Sequence, residues 1–201
     1  MVFFRHHADR GASAQPQARP PARHPRRLLR LVLVAARHRV STGLRGQGQV
    51  SDAGCVFCKV VAALDPPDTC PAGEAGQVLR KVRDLTASIA ILAPDQHYKG
   101  YTMVVSKTHA VELYELPERQ STQYFQDMVA VARAIAAAFK PRKMNYEALG
   151  NTVGHLHWHL FPRYEWDPHP KRPIWETSHS PRLPGPEEYA DTLAAIRRHL
   201  A

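Results

Sequence analysis

The chain has 201 residues, enough for one domain with spare length, and its apolar content is ordinary for a protein that buries a core. No stretch approaches the roughly 18 apolar residues that a membrane span needs, which argues against a membrane-embedded protein. The net charge of +9 belongs wholly to residues 1–50, which hold ten arginines and a single acid, Asp9; residues 51–201 hold 17 basic and 17 acidic residues. Nucleic-acid binding needs a clustered basic face, so no nucleic-acid partner is expected.

Residues 1–50 are rich in Arg, Pro, Ala and Gln and show no sustained helical or strand period. Three interpretations fit this segment: a disordered tail, an Arg-rich and acid-poor organelle transit peptide, or sequence from a start site placed too early. We favour the third, with translation beginning at Val50 from an alternative initiation codon. Residues 51–201 are then predicted to form a single domain.

The predicted elements begin with a knuckle around Cys55 and Cys58 that runs into a short helix. Five segments are predicted as strands: residues 78–85, 88–92, 101–106, 144–149 and 155–162. Residues 118–139 form the longest predicted helix, because their apolar side chains recur at spacings of three and four. Residues 186–200 form the last helix, with acids in its first turn and basic residues in its last. Hairpin strands with one long and one terminal helix predict an α+β fold on an antiparallel sheet of about five strands.

The three cysteines, Cys55, Cys58 and Cys70, are an odd number and do not predict a disulfide framework. A Cys-x-x-Cys pair in a reducing compartment indicates metal or redox chemistry, and two buried structural thiols are the alternative. Redox chemistry favours a thioredoxin-like βαβ context, which this pattern lacks. Cys70 falls in a Gly- and Pro-containing segment, residues 70–76, that is predicted as a loop. We expect a cytoplasmic protein.

Three histidines alternate with apolar residues in the last predicted strand: His155, His157 and His159. Residues two apart share a face of a strand, so the histidines would stand in a row at roughly 6.6 Å spacing. The residues expected on the opposite face, towards the core, are Leu156, Trp158 and Leu160. Three polar rings on one face are costly to bury without partners. Three interpretations remain: surface histidines whose hydrogen bonds are satisfied, a catalytic metal held by all three histidines, or nucleophilic catalysis.

Residues 150–163 resemble the signature of the histidine triad (HIT) family, His-φ-His-φ-His-φ-φ with φ apolar. Residues 55–59 and 104–109 are similar to two further blocks of that family, in the same order and spacing. The resemblance covers about residues 54–165, and residues 163–175 resemble a bacterial branch related to diadenosine polyphosphate hydrolases. It implies a small α+β fold, usually a homodimer whose sheets join, that binds a small nucleotide and needs neither nucleic acid nor a membrane.

The resemblance implies that the middle histidine, His157, attacks the α-phosphorus of a nucleotide and forms a covalent nucleotidyl-histidine, which water then releases. His159 would hydrogen-bond the phosphate or the leaving oxygen, and Thr152 stands where the family often has a Ser or Thr that contacts the leaving group. The implied function is a nucleotide phosphohydrolase that acts on a dinucleoside polyphosphate or a nucleoside phosphoramidate. No bound metal is needed for this chemistry, because donors aimed at the phosphate oxygens carry the stabilisation. No organic cofactor is expected either.

The residues expected to bind substrate are Asn145, near the family's nucleotide-contacting Asn, with Asn151, Asp95 and Arg163. By alignment with the family, Ala93 stands where many members carry an Asp or Asn that holds the ribose hydroxyls, so this contact is lost or moved. Asp95 could replace it or could simply form a turn. Arg163 could face phosphate or cover the sheet edge. Trp166 and Trp175 could stack on a base or pack down as a lid.

Zinc-bearing members of the family complete the Cys-x-x-Cys pair with a His after the second conserved strand and with the first His of the triad. The matching residues are Cys55, Cys58, His109 and His155. Such a Cys2His2 site closes at four ligands and is structural. The triad would then be divided, with His155 in the zinc site while His157 and His159 carry out the chemistry.

Alternatives to hydrolysis stay open. The transferase branch of the superfamily replaces the third histidine by Gln, so His159 favours hydrolysis by resemblance. A nucleotidyltransferase remains the first alternative, and a nucleotide-binding regulatory module without turnover is the second. A metal-dependent hydrolase is the third.

Overall fold

The computed structural model of the protein describes residues 52–64, 68–71 and 78–200. The predictions for residues 1–50, including a start at Val50, lie outside the described residues. Within the described part, none of the helices is both long enough and apolar enough to cross a membrane.

Three α-helices and six β-strands make up the described chain. The helices are α1 (Val56–Ala63), α2 (Glu118–Phe139) and α3 (Pro186–Arg197). The strands are β1 (Thr69–Pro71), β2 (Val78–Asp84), β3 (Ser88–Leu92), β4 (Thr102–Ser106), β5 (Lys143–Glu147) and β6 (His157–Arg163). Single 3₁₀ turns lie at Leu113–Glu115 and Ile174–Glu176. All three helices stand where their sequence patterns predict them.

The strands form one sheet in the order β1-β2-β3-β4-β6-β5, with every neighbouring pair antiparallel. The predicted α+β fold on an antiparallel sheet is therefore confirmed. The described sheet has six strands rather than about five. The additional strand is β1, which overlaps the start of the segment predicted as a loop and pairs with β2, with Cys70 opposite Leu79. Three residues are too few to show a strand period, so the sequence pattern misses it.

Both faces of the central strands are covered, which is why β3 and β4 are buried throughout instead of alternating. The strand side chains that pack with α2 and α3 include Ala90, Leu92, Val104 and Leu160. The strand side chains that pack with α1 include Ile89, Ile91, Met103 and Val105. In the ladder between β4 and β6, His157 lies opposite Val105 and His159 lies opposite Met103. Both histidines therefore face the α1 side of the sheet.

Strand β6 begins at His157, so the prediction that all three histidines stand in a row on one strand is wrong. The backbone of Leu156 is bound instead by the last residue of β4 and by the turn after β4. Its N–H donates to the Ala110 carbonyl at 2.8 Å, and its own carbonyl accepts from the Ser106 N–H at 3.0 Å. These bonds end the ladder, and His155 lies just ahead of the strand.

Just before β4, the backbone at Gly100 lies close to the C-terminal end of α2. Gly100 turns the chain with a φ of +91°, and a Cβ at this position would lie 2.7 Å from the Phe139 ring at the end of α2. The next residue, Tyr101, packs on the α1 side and stacks on Phe161 with ring centroids 3.9 Å apart. A larger residue at position 100 would therefore disturb the placement of Tyr101.

Candidate active site and metal centre

The four residues predicted to bind zinc lie together. They are Cys55 and Cys58 at the start of α1, His109 in the turn after β4, and His155 just before β6. Nδ1 of His155 lies 3.4 Å from Cys55 Sγ and 3.6 Å from Cys58 Sγ, and Nδ1 of His109 lies 3.4 Å from Cys58 Sγ. All four ligand atoms lie within 4.8 Å of one another. We call these residues the Cys/His cluster.

The donor geometry of the Cys/His cluster fits a tetrahedral zinc ion. Bonds of about 2.3 Å to sulfur and about 2.0 Å to nitrogen put a sulfur and a nitrogen roughly 3.6 Å apart in a tetrahedron, close to the distances found. Nε2 of His155 lies 2.8 Å from the Ser106 carbonyl, which only accepts, so we assign the ring proton to Nε2 and the lone pair to Nδ1. Burial lowers the pKa of His155 to about 4 and keeps the imidazole neutral. Burial raises the pKa of the Cys58 thiol to about 11, so metal binding would displace its proton.

His157 is held by the backbone just before its own strand. Its Nδ1 lies 2.6 Å from the carbonyl oxygen of His155, so Nδ1 carries the proton and Nε2 carries the lone pair. The Phe57 ring of α1 lies against the imidazole, with centroids 4.7 Å apart. Burial lowers the pKa of His157, and the residue is only 8% exposed. A neutral imidazole with an unengaged Nε2 is a competent nucleophile.

His159 lies beside His157, with ring centroids 4.7 Å apart and planes inclined by 77°. Its Nδ1 is 2.7 Å from the hydroxyl of Tyr101. The Trp175 ring packs against it edge to face at 5.1 Å. Burial lowers the pKa of His159 to about 3, and His157 adds to the effect, so the ring is neutral at physiological pH. Nε2 of each of the two histidines has no hydrogen-bond partner among residues 52–64, 68–71 and 78–200. We call these two rings and their surroundings the histidine pocket.

Glu147 is a third polar side chain at the histidine pocket. It lies directly opposite His159 in the ladder between β5 and β6. Its Oε2 is buried and has no hydrogen-bond partner in the described part of the chain. Burial raises the pKa of Glu147, although a hydrogen bond from Trp175 and the charge of Arg163 offset part of the rise. An unpartnered buried oxygen is costly, so this wall of the pocket is suited to a ligand that donates a hydrogen bond.

Sequence reasoning missed three pocket residues: Phe57, Tyr101 and Glu147. Phe57 lies inside the Cys-x-x-Cys pair, where its local signal is that of an apolar helix residue. Tyr101 reaches a partner 58 residues away, and Glu147 meets His159 only through strand pairing. Local patterns carry no information about partners at such separations.

Two predicted substrate-binding residues, Arg163 and Asn145, are directed at the loop that follows β6. Arg163 is 3% exposed and forms an ion pair with Asp167. Its other hydrogen bonds go to Asn145 Oδ1 at 2.7 Å and to the carbonyls of His169 and Arg172 at 2.8 and 3.0 Å. The guanidinium therefore organises the loop, and Asn145 is one of its acceptors. Within the described residues, no hydrogen bond joins either side chain to the two histidines of the pocket.

Asp95 is engaged with the segment that leads to α3. Its carboxylate lies 3.0 Å from Nε2 of His179 and accepts from the backbone N–H groups of His97 and Arg182, each at 2.9 Å. Burial by itself would raise the pKa of Asp95, but these hydrogen bonds hold that pKa below its ordinary value. Ala93 is buried, 2% exposed, just after the end of β3. Through these contacts, Asp95 connects the segment after β3 to the segment before α3.

The remaining predicted site residues differ in position. Asn151 and Thr152 are exposed in the bend before His155, and no side-chain hydrogen bond within the described residues holds them. Trp175, 42% exposed, packs against His159 at the pocket. Trp166 stacks instead on Tyr98, with ring centroids 5.4 Å apart, and lies away from the two histidines.

The sequence and the fold are both similar to those of known proteins. The HIT domain model matches residues 79–166. The protein named hit of Bacillus subtilis is 35% identical over 115 residues, which are 55% of this chain and 71% of that protein. An adenosine 5′-monophosphoramidase of Saccharomyces cerevisiae is 25% identical over 119 residues, 56% of this chain and 64% of that protein. Among solved structures, a histidine triad protein of Bradyrhizobium japonicum superposes with a TM-score of 0.55 at 29% identity, covering 61% of this chain and 91% of that one.

The matched span contains all three histidines of the run as well as His109 and Tyr101. The similarity to the Bacillus protein extends over most of that protein's length. The fold also superposes on that of a histidine triad protein of known structure. The chain belongs to the HIT domain family.

Proposed function

We propose that the protein is a nucleotide phosphohydrolase that cleaves at the α-phosphorus of a dinucleoside polyphosphate or a nucleoside phosphoramidate, through a covalent nucleotidyl-His157. The observation that carries the proposal is the 2.6 Å contact between Nδ1 of His157 and the His155 carbonyl, which leaves the Nε2 lone pair free at the pocket. The yeast relative is named as a phosphoramidase, which agrees with chemistry of this class. The resemblance of residues 163–175 is the basis for proposing the bacterial branch related to diadenosine polyphosphate hydrolases.

The reaction has two displacements. In the first, Nε2 of His157 attacks the α-phosphorus; an N–P bond forms, and the bond from phosphorus to the leaving oxygen or nitrogen breaks with its electron pair. The leaving group takes up a proton from solvent, and His159 hydrogen-bonds the phosphate or the leaving atom, with Thr152 reaching the leaving group from the preceding bend. In the second, a water oxygen attacks the same phosphorus and releases a proton to solvent, and the N–P electrons return to His157. Splitting one hard displacement into two easier ones is the benefit of a covalent intermediate.

We propose that Cys55, Cys58, His109 and His155 hold a structural zinc ion. The sulfur–nitrogen distances of 3.4 to 3.6 Å and the assigned tautomer of His155 support this. Zinc would tie α1 to the turn after β4 and to the segment before β6. With four protein ligands the site keeps no open position, so it supplies folding energy and no catalytic step. Metal analysis of the purified protein should find one zinc per chain, and only trace zinc would contradict the assignment.

We further propose that residues 51–201 act as one HIT domain, that residues 1–50 take no part in it, and that the protein works as a homodimer on small nucleotides. Mass spectrometry of native protein tests the start site at Val50, because peptides from before residue 50 would contradict it. Light scattering in solution tests the dimer.

The decisive experiment is to trap the intermediate while screening a panel of adenylated substrates. The wild-type chain should become labelled, and peptide mapping should place the label on His157. His157→Ala should abolish labelling, whereas the matched control His169→Ala, at an exposed loop histidine, should not. Full activity of His157→Ala would rule the mechanism out. Absence of labelling with every nucleotide would favour a binding module, and transfer to an acceptor other than water would favour a nucleotidyltransferase.

A further inference from the structure

The two histidines of the pocket are held through the same ring nitrogen by partners of opposite character. Nδ1 of His157 meets a backbone carbonyl, which only accepts a hydrogen bond. Nδ1 of His159 meets the hydroxyl of Tyr101 at 2.7 Å, which can donate or accept. Whether the single ring proton of His159 lies on Nδ1 or on Nε2 therefore depends on whether the Tyr101 hydroxyl accepts or donates this hydrogen bond.

The surroundings of Tyr101 leave its O–H one partner. Its ring stacks on Phe161 at 3.9 Å, and within the described ranges the hydroxyl forms a hydrogen bond only with Nδ1 of His159. Burial raises the pKa of Tyr101, and the charges of Asp95 and Glu147 add to the rise, so the phenol keeps its proton. If Nδ1 of His159 donated to the phenol oxygen, the phenol proton would be left without an acceptor. Because unsatisfied buried donors are costly, the O–H donates to Nδ1.

We propose that Tyr101 is a positioning residue that holds His159 as the Nε2–H tautomer, so that the two neighbouring histidines present opposite groups to the substrate. His157 offers a lone pair for attack on phosphorus, and His159 offers an N–H donor to a phosphoryl or leaving-group atom. The inference rests on the proposed function for the meaning of these roles, although the tautomer itself can be measured without turnover.

The assignment explains how His159 can donate although it is neutral. A protonated imidazole carries N–H on both nitrogens, but burial lowers the pKa of His159 to about 3, so the cation is not available at physiological pH. A neutral ring has one N–H, which reaches the pocket only if Nδ1 is occupied as an acceptor. A donor fixed in advance at the site of developing charge needs no reorganisation during the reaction.

The direct test is nitrogen-15 NMR of the zinc-loaded full chain, labelled on histidine, with His159→Ala used to identify the signals. The wild-type protein at neutral pH should show the His159 proton on Nε2 and a hydrogen-bonded, unprotonated Nδ1. In Tyr101→Phe, which removes only the hydroxyl, the Nδ1 signal should move towards that of a free unprotonated nitrogen. A proton found on Nδ1 of His159 in the wild-type protein would overturn the proposal.

Kinetics supply the second readout. Tyr101→Phe should lower kcat about ten- to a hundredfold and leave KM little changed. This fall in kcat is smaller than that expected for removal of a whole acid–base group, because the imidazole stays in place. The matched control is Tyr98→Phe, at a buried tyrosine whose hydroxyl bonds Asp167 at 3.4 Å. It should leave the His159 signals and kcat unchanged. Wild-type kcat in Tyr101→Phe would also overturn the proposal. If no substrate is turned over at all, the proposed function fails, while the NMR result still decides the tautomer.

Discussion

The Cys/His cluster and the histidine pocket share one short run of chain, yet they use histidine in opposite ways. In the cluster, both ring nitrogens of His155 are engaged inside the protein, one with the cysteine sulfurs and one with the Ser106 carbonyl. In the pocket, His157 and His159 each have one nitrogen engaged and keep Nε2 for a ligand. The number of engaged ring nitrogens, rather than the residue type, separates the structural member of the triad from the chemical ones.

The largest expected effect comes from replacing one histidine in each of the two regions. His157→Ala should lower turnover on the order of 10⁴-fold or more, because it removes the nucleophile, and should leave the zinc content at one per chain. His155→Ala should lose zinc. Steady-state kinetics and metal analysis on both variants check this. Equal zinc loss in the two variants would show that the regions are not independent.

Removing zinc should act on stability. A ligand that binds only the folded state contributes about 4 kcal/mol at a free concentration of roughly 1,000 times Kd, so chelation should lower the free energy of unfolding by a similar amount. Urea denaturation with and without a chelator measures it. His157→Ala is the matched control and should show the same zinc dependence. An unchanged midpoint after verified metal removal would argue against a structural ion.

His159→Ala should reduce kcat by roughly 10²- to 10³-fold, as expected for the loss of one preorganised donor, and should leave some labelling of His157. Single-turnover kinetics separates formation of the intermediate from its hydrolysis. A loss as large as that of His157→Ala would assign the attacking role to both rings or to the wrong one.

The smallest expected effect concerns Glu147, whose unpartnered Oε2 contrasts with the fully engaged donors of the cluster. Since its pKa is raised in the folded state, its contribution to stability is present below the unfolded pKa and is lost as pH rises through the folded value. Glu147→Gln should therefore stabilise the protein at pH 7, by under about 1 kcal/mol because the group is partly solvated, and the gain should vanish below about pH 4. Urea midpoints at both pH values check this. Glu165→Gln, at a side chain that is 82% exposed, should change neither midpoint.

Much of the fold follows from local patterns. The apolar spacing of residues 118–139 predicts α2 with its observed bounds, and Phe139 ends it where Lys140 takes a left-handed φ of 49° one residue before Pro141. The short strand β1 escapes prediction because three residues show no period. The start of β6 also escapes prediction, since the Leu156 N–H donates to the Ala110 carbonyl in the turn after β4.

The sequence by itself determined the alternation of the three histidines, the α+β class and the likeness to the HIT family, because each depends on residue spacing along one segment or on the order of short blocks. The four residues of the Cys/His cluster followed from that likeness, since spacing alone indicates only the Cys-x-x-Cys pair. Only the tertiary structure decided that Tyr101 bonds His159, that Phe57 packs on His157, and that Glu147 faces the pocket. It also placed the Arg163 guanidinium against Asp167 and the His169 carbonyl in the loop after β6. The physical reason is that a side chain's hydrogen-bond partners depend on strand register and loop closure, which join residues far apart in the chain.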